Sequence, residues 1–288
     1  MTTHFRPRRS VLYMSGSNSR ALKKARNLPT DCLIFDLEDA VAPEAKDIAR
    51  SQVAATIRAG GYDQREIIIR TNAVETEWFT ADAAAVAASS ADAILLPKVE
   101  SPAVIKEAIR QLSKAGAAAD LPIWIMAETP RGLLNLDDII ATEPRIEVII
   151  MGTSDLSKEM RIQPSTDRSG LIHALSHCLL TARAHGLDII DGVHLTLDDP
   201  DGLLAACKQG RNLGFDGKSL IHPQQIAPAN ETFGISDKEA ETAREIIHAW
   251  DVARNEGQGI TVLNGQLIEQ LHVDEAKRIL AIHLATIK

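Results

Sequence analysis

Short apolar runs recur along the chain, and each breaks into acidic, basic or amide residues at its C-terminal end. Five of them are CLIFDLEDAV (Cys32 to Val41), EIIIRTN (Glu66 to Asn72), AILLPKVE (Ala93 to Glu100), PIWIMAETP (Pro122 to Pro130) and EVIIMGTSDLS (Glu147 to Ser157). A near-continuous apolar run is the pattern of a parallel strand covered on both faces. Helical patterns separate these runs. SVLYMSG (Ser10 to Gly16) opens the series and is followed by SNSRALKKARNL, where Asn18 or Ser17 can cap the helix by accepting from its free first-turn amides. APEAKDIARSQVAATIRAG follows the second run, with Pro43 suited to a first turn and Gly60 and Gly61 to a helix end. LDIIDGVHLTL (Leu187 to Leu197) and FDGKSLIHPQQI (Phe215 to Ile226) complete eight strand–helix pairs. That alternation predicts an α/β fold of the (β/α)8 TIM-barrel type. An open doubly wound sheet would carry a G-x-G-x-x-G turn after its first strand, and none is present.

Beyond the eighth pair the pattern turns helical. ISDKEAETAREIIHAWDVARNEG begins with a Ser-x-x-Glu capping pattern, Ser236 to Glu239, and spaces its apolar residues as a helix does. ITVLNGQLIEQ reads as a short hairpin or loop and HVDEAKRILAIHLATI as a closing helix. The expected organisation is a catalytic barrel over residues 1–233. A C-terminal helical extension over 234–288 would pack on it or reach a neighbouring subunit.

Composition narrows the function. The net charge of −8 and the lack of a basic stripe argue against nucleic acid as a partner. Aromatic residues make up only 3% of the chain, so Leu, Ile, Val and Ala must build the core. Cys32, Cys178 and Cys207 have no metal-ligand or disulfide spacing and read as core thiols of a reducing compartment. The opening MTTHFRPRRS has no apolar segment behind its charges, and the apolar runs are strand-sized, too short for a bilayer. A soluble cytoplasmic protein without a membrane partner is expected.

In barrels of this type chemistry sits at the C-terminal strand ends. There the sequence places Asp36, Glu38, Asp39, Arg70, Lys98, Glu128 and Asp155. Glu128 and Asp155 follow consecutive strands. Two carboxylates with solvent completing the shell suit Mg²⁺, which keeps several waters and takes one or two protein carboxylates. The alternative is that each caps the helix behind it, which Asp155 could do and Glu128 does poorly. Arg70 closes an apolar strand, where a guanidinium needs an anion. Its planar fork matches a substrate carboxylate, or an internal partner in Asp36 or Glu38, and both can hold together. Alternation puts Asp36 and Glu38 on one face, where they and Asp39 would support the arginine or bind metal waters. Asp39 also fits a solvated loop. Lys98 fits an anionic substrate contact or a pair with Glu100 or another rim acid equally well. His222 reads as a structural hydrogen-bonder. No Ser or Cys sits in a nucleophile elbow, so covalent acyl chemistry is not supported.

These segments match a family in order: RSVLYMSGSNSRALKKA, IFDLEDAVAPEAKDIAR, IIIRTN, ILLPKVES, MAETPRG, IIMGTSDLS and FDGKSLIHPQQI. From about Arg9 to Phe233 the chain resembles the citrate lyase β-subunit-like family. This is the CoA-ester lyase branch of the HpcH/HpaI aldolase superfamily, with malyl-CoA and citramalyl-CoA lyases among its members. The resemblance implies a (β/α)8 barrel holding Mg²⁺ through Glu128 and Asp155, with Arg70 on the carboxylate of the oxo acid and Arg20 and Lys24 as candidates for binding CoA. The implied reaction is reversible Claisen-type cleavage of a 3-hydroxyacyl-CoA to acetyl-CoA, or a close relative, and a 2-oxo acid. A hydroxyacyl-CoA thioesterase, or a citryl-CoA lyase subunit of a multi-subunit citrate lyase, is the alternative. The family commonly forms trimers or hexamers, so a homo-oligomer is implied.

Two segments depart from the family pattern. The first loop reads Met14-Ser15-Gly16 where V-P-G is usual. The tail reads Ile268-Glu269-Gln270-Leu271-His272 where V-D-x-P-H is usual, a segment whose aspartate is thought to act as acid/base in a neighbour's active site. Glu269 takes that aspartate's place and Asp274 is its rival.

Overall fold

The computed structural model describes residues 6–62, 65–163 and 165–286. The opening residues of the segment read as lacking a leader, and the last residue of the closing helical pattern, lie outside them. Eight parallel strands close on themselves: β1 (Ser10–Ser15), β2 (Cys32–Asp36), β3 (Glu66–Arg70), β4 (Ala93–Leu96), β5 (Ile123–Ala127), β6 (Ile146–Met151), β7 (Asp188–Asp191) and β8 (Gly217–Leu220). β1 pairs with both β2 and β8, which seals the barrel. Alternation along each strand sends Val11, Ile34, Ile68, Leu95, Trp124, Val148 and Ile190 into one buried interior cluster.

The helices between strands follow local signals. In α1 (Ser19–Ala25), the Asn18 side chain accepts from the Ala21 amide. A 3-10 turn at Pro43–Ala45 leads into α2 (Lys46–Ala59), which ends at Gly60 with φ of 64°. Then come α3 (Phe79–Ala87), α4 (Pro102–Ala115), the short pair α5 (Pro130–Leu134) and α6 (Leu136–Ala141), α7 (Thr153–Glu159), α8 (Ile172–Ala184), α9 (Pro200–Leu213) and α10 (Ile226–Phe233). Cys32, Cys178 and Cys207 are all free and buried.

Charge seals the lower end of the barrel. Arg8 donates to both carboxylate oxygens of Glu66, at 2.8 and 2.9 Å, and to Asp188 at 2.6 Å, while its guanidinium lies 5.1 Å from the Trp124 ring centre. A second buried group lies behind the sheet. Ile190 and Ser219 point inward, so alternation turns Asp191 and Lys218 outward towards α9. Lys218 Nζ donates to Asp191 at 2.8 Å, and Arg168 Nη1 donates to both Asp191 oxygens at 2.7 and 2.9 Å. Asp191 and Lys218 have no exposed surface. Burial opposes the Asp191 charge, but Lys218 and Arg168 outweigh it and hold the carboxyl below its ordinary value.

The chain divides into two compact units. One is the barrel, Arg8–Thr232, and the other includes Phe233–Lys288. In the second, α11 (Asp237–Asn255) begins with the reciprocal Ser236–Glu239 capping box. Strands β9 (Thr261–Leu263) and β10 (Gln266–Ile268) form an antiparallel hairpin, and α12 (Gln270–Thr286) follows. Asn264 and Gly265 both have positive φ, 50° and 79°, the turn that a two-residue hairpin loop needs. Trp250, Ile268 and Val273 form the small core of this unit.

Replacing Asp191 with Ala leaves Lys218 buried without its counter-ion. The barrel should lose about 3–5 kcal/mol, read as a lower urea midpoint with an unchanged denaturant slope. An unchanged midpoint would mean that Lys218 finds another partner.

Candidate active site

The strand ends of the upper barrel surround a cavity of about 350 Å³. Its lining includes Asp36, Asp39 and Arg70 from the β2 and β3 side, Glu128 after β5, and Gly152 through Asp155 after β6. Val193, Leu195, Ser219 and Ile221, from the β7 and β8 side, also line it, with Tyr13, Ala40, Met126 and Met151.

Arg70 ends β3 and is 7% exposed. Its Nε and Nη2 donate to the two oxygens of Asp36, each at 2.7 Å, in the bidentate geometry a guanidinium favours. Nη1 lies 2.9 Å from Glu38 Oε2, an ion-pair distance without hydrogen-bond alignment, and 3.6 Å from Asp39. The guanidinium carbon sits 4.9 Å from the centre of the Tyr13 ring. Burial opposes the arginine's charge, yet Asp36 and its neighbours raise the Arg70 pKa further. Asp36 is pushed up by burial and pulled down more strongly by Arg70, ending below its ordinary range. It also accepts from the Glu38 and Ala40 amides, at 2.8 and 3.0 Å, and so shapes the loop that carries Glu38 and Asp39. Lys46 underpins that loop by donating to the Leu37 and Glu38 carbonyls.

Lys98 ties several carboxylates together. Its backbone has φ of 51°, an uncommon conformation for a side-chain-bearing residue. The turn aims its amide at Glu128 Oε1, 2.7 Å away. Its ammonium donates to Glu38 at 2.7 Å and lies 3.7 Å from Asp155 Oδ2. Of the two sequence readings for Lys98, the pairing with rim acids is the one observed, and the acids are Glu38 and Asp155.

Glu128 is 3% exposed, and burial together with the nearby Glu38 charge raises its pKa to about 7. Among the described residues its Oε2 accepts no hydrogen bond. Gly152 leaves room for it, since a Cβ there would collide with the Glu128 side chain. Glu128 does not cap α5: the Thr129 hydroxyl accepts from Gly132 and does so instead. Asp155 lies in the first turn of α7, whose cap is Gly152 with no side-chain bond. Asp155 is therefore on a helix facing the cavity and not on a strand end.

The barrel thus brings Asp36, Glu38, Asp39, Arg70, Glu128 and Asp155 to one mouth. Arg20 and Lys24 are exposed one helical turn apart on α1, outside the cavity lining. Glu269 belongs to the second unit, exposed just before α12, with its amide donating to His272 Nδ1 at 3.0 Å. Asp274 accepts from Gln270 at 2.8 Å in the same helix. His222 accepts from the Gln224 amide and caps the turn after β8, a structural bond as its sequence context implied. Sequence reading missed Tyr13, Met126, Gly152, Ser219 and the Asp191–Lys218–Arg168 group. Strand parity could have found Tyr13 and Met126, which share a face with Val11 and Trp124. Gly152 matters only through its proximity to Glu128, which no local pattern reports.

The HpcH/HpaI aldolase/citrate lyase family model matches residues 9–223. A (3S)-malyl-CoA thioesterase of Cereibacter sphaeroides is 46% identical over 275 residues, covering 96% of this chain and 94% of that protein. The citrate lyase subunit beta of Escherichia coli is 32% identical over 281 residues, with coverage of 96% and 93%. The solved CitE protein of Mycobacterium tuberculosis in complex with magnesium, acetoacetate and coenzyme A has a TM-score of 0.76. It is 27% identical and is covered over 97% of its length, against 95% of this chain. Its sequence and its closed barrel agree: the chain belongs to the HpcH/HpaI aldolase/citrate lyase family of enzymes.

Proposed function

We propose that the cavity binds a 3-hydroxyacyl-CoA of the malyl-, citramalyl- or citryl-CoA type together with Mg²⁺. The enzyme breaks the bond between the hydroxyl-bearing carbon and the carbon next to the thioester, giving acetyl-CoA or a close relative and a 2-oxo acid. The observation that carries this reading is a buried Arg70 oriented by Asp36 beside a cluster rich in carboxylates. Asp36, Glu38, Asp39, Glu128 and Asp155 outnumber Arg70, Lys98 and Lys46 at this mouth. Burial first, and the nearby Glu38 charge second, raise the Glu128 pKa to about 7, and a divalent cation would favour the ionised form against both.

Glu128 and Asp155 are assigned as the metal-holding pair. No group of three or more His, Cys, Asp or Glu side chains poised for a metal occurs among the described residues. A two-carboxylate site completed by water and substrate oxygens suits Mg²⁺. When bound, that ion supplies Lewis acidity that lowers the pKa of the substrate hydroxyl. Arg70 holds the substrate carboxylate, and Asp36 fixes the plane of its guanidinium. Glu38 and Asp39 support the same arginine, and the Lys98 amide fixes the orientation of Glu128. As the bond breaks, the substrate hydroxyl gives its proton to solvent and becomes the keto group of the 2-oxo acid, and the electrons of the broken bond pass to the thioester as an enolate. Protonation of that carbon completes the acetyl group, and we assign the proton to Glu269, with Asp274 as its rival. Arg20 and Lys24, exposed on α1, are assigned to CoA. The second unit carries exposed Ile260, Val262, Leu267 and Leu271. Such apolar exposure supports assigning residues 234–288 to contact with a neighbouring copy in a homotrimer or hexamer.

A second reading has its own support. The 46% identity to a malyl-CoA thioesterase exceeds the 32% to citrate lyase subunit beta, and the same site can serve thioester hydrolysis. Product identification with purified protein, Mg²⁺ and malyl-, citramalyl- or citryl-CoA decides. Acetyl-CoA with a 2-oxo acid is expected, and free CoA with an intact hydroxy acid would replace the lyase reading by the hydrolytic one. If the chain turns over no CoA ester alone but does so with an acyl-carrier partner, it is a subunit of a larger lyase.

Glu128→Gln and Asp155→Ala should each abolish Mg²⁺-dependent turnover; full activity in either removes that residue from the metal site. The raised Glu128 pKa also has a stability consequence. The unfolded chain ionises this group near 4.5 and the folded chain near 7, so its ionisation destabilises the metal-free fold increasingly as pH rises between them. The penalty is of order a few kcal/mol. Metal-free protein should therefore lose melting temperature from pH 5 to pH 7.5 more steeply than Glu128→Gln does, and Mg²⁺ should reverse the loss in the parent alone. Parallel pH profiles for the two proteins would refute the assigned ionisation.

Glu269→Gln should lower kcat by roughly 10²–10⁴-fold with little change in KM. Unchanged kcat would transfer the proton to Asp274 or to solvent.

A further inference from the structure

One residue reaches both carboxylates assigned to the metal. The Lys98 amide donates to Glu128 Oε1 at 2.7 Å, and the Lys98 ammonium lies 3.7 Å from Asp155 Oδ2. The same ammonium donates to Glu38 Oε1 at 2.7 Å, and the other oxygen of Glu38 faces Arg70. Among the described residues no other Lys, Arg or His side chain lies within ion-pair distance of Asp155, and none lies so close to Glu128. The other cations of the mouth are held fast: Arg70 by both oxygens of Asp36, and Lys46 by the carbonyls of Leu37 and Glu38. Lys98 differs from Arg70 in exposure. Its side chain and that of Asp155 are each 40% exposed, against 8% for Arg70. An ammonium on a flexible stem at such a place can exchange one carboxylate for water at little cost. The two kinds of contact are also separable. The bond to Glu128 belongs to the Lys98 backbone and survives a change of side chain, whereas the ion pairs do not.

We propose that the Lys98 ammonium is a built-in counter-ion that competes with Mg²⁺ for Asp155: it holds the carboxylates together in the metal-free protein and withdraws from Asp155 when the ion binds. This rests on the assignment of Glu128 and Asp155 as the metal-holding pair. Lys98 reaches three carboxylates, Glu38, Glu128 and Asp155, and like charges gathered at one site oppose each other's ionisation. With no metal present, the ammonium offsets that repulsion with one positive charge. A divalent ion brings two, and beside it the ammonium is repelled where it was attracted. Lys98 then keeps its hydrogen bond to Glu38, so the carboxylate that faces Arg70 stays in place. The consequence is a lowered Mg²⁺ affinity in the substrate-free enzyme and a mouth that keeps its shape without the ion.

The test titrates Mg²⁺ alone into metal-stripped, substrate-free protein by calorimetry, comparing the parent with Lys98→Asn, Lys98→Met and Lys98→Arg. Asparagine is neutral and tolerates the positive φ at this position, so the amide contact to Glu128 is kept; methionine is a second neutral variant closer to lysine in length. Either neutral variant should bind Mg²⁺ about tenfold more tightly than the parent, since a unit charge a few ångströms from a divalent ion costs about that much even in water. Lys98→Arg keeps the charge and should bind as the parent does. Thermal melts read the same coupling independently. Without metal, Lys98→Asn should melt below the parent, and a fixed Mg²⁺ concentration should raise its melting temperature by more than it raises the parent's. Unchanged or weaker Mg²⁺ binding in the neutral variants, with binding lost in Glu128→Gln, overturns the competition and leaves the metal site standing. Tighter binding in Lys98→Arg as well overturns charge as its cause. Mg²⁺ binding by none of these proteins, or binding that survives Glu128→Gln undiminished, overturns the metal assignment and this inference with it.

Discussion

The paired hydrogen bonds between Arg70 and Asp36 are the interaction on which the upper barrel depends. A guanidinium buried to this extent is stable only against a matching anion, and Asp36 meets it with both oxygens at 2.7 Å. The pair joins the ends of β2 and β3, which are already neighbours in register. Because Asp36 also accepts two amides from the following loop, the carboxylates of Glu38 and Asp39 are delivered to the same mouth. The ion pair therefore fixes the arginine at the cavity and organises its surroundings.

From that pair the electrostatics pass to Lys98 and Glu128. The left-handed turn at Lys98 lets one residue use its amide on Glu128 and its ammonium on Glu38 and Asp155. Gly152 removes the side chain that would otherwise occupy the space of Glu128. The outcome is a carboxyl whose pKa burial and Glu38 raise to about 7. Charges that are not part of the mouth are locked away, with Arg8 at the lower end and Lys218 and Arg168 behind the sheet.

Much of this is legible in one dimension. Apolar runs that break into charge are strands that end at a rim, and eight of them alternating with helices close into a barrel. The capping signals at Asn18 and Ser236, the glycine after α2 and the Asn264-Gly265 turn act through neighbours in the chain, so they read correctly from it. Asp36, Glu38, Arg70 and Glu128 were visible as rim residues because strand ends are local features. Which acid Lys98 would meet was not visible, since its partners come from the second, fifth and sixth strand–helix units. Asp191 and Lys218 were hidden for a further reason: they look like ordinary polar residues within apolar runs until closure buries both against Arg168.

The sequence by itself determined the strands, their order, the caps and the types of chemical group at the rim, because each is set by side-chain period and by contacts within a few residues. Only the tertiary structure decided how those groups share charge. It chose Asp36 as the partner of Arg70, gave Lys98 its two roles, put Asp155 on a helix instead of a strand end, and brought Leu195 and Ile221 into the lining of the same cavity. These outcomes depend on distances between segments far apart in the chain, and barrel closure fixes such distances where local propensity cannot.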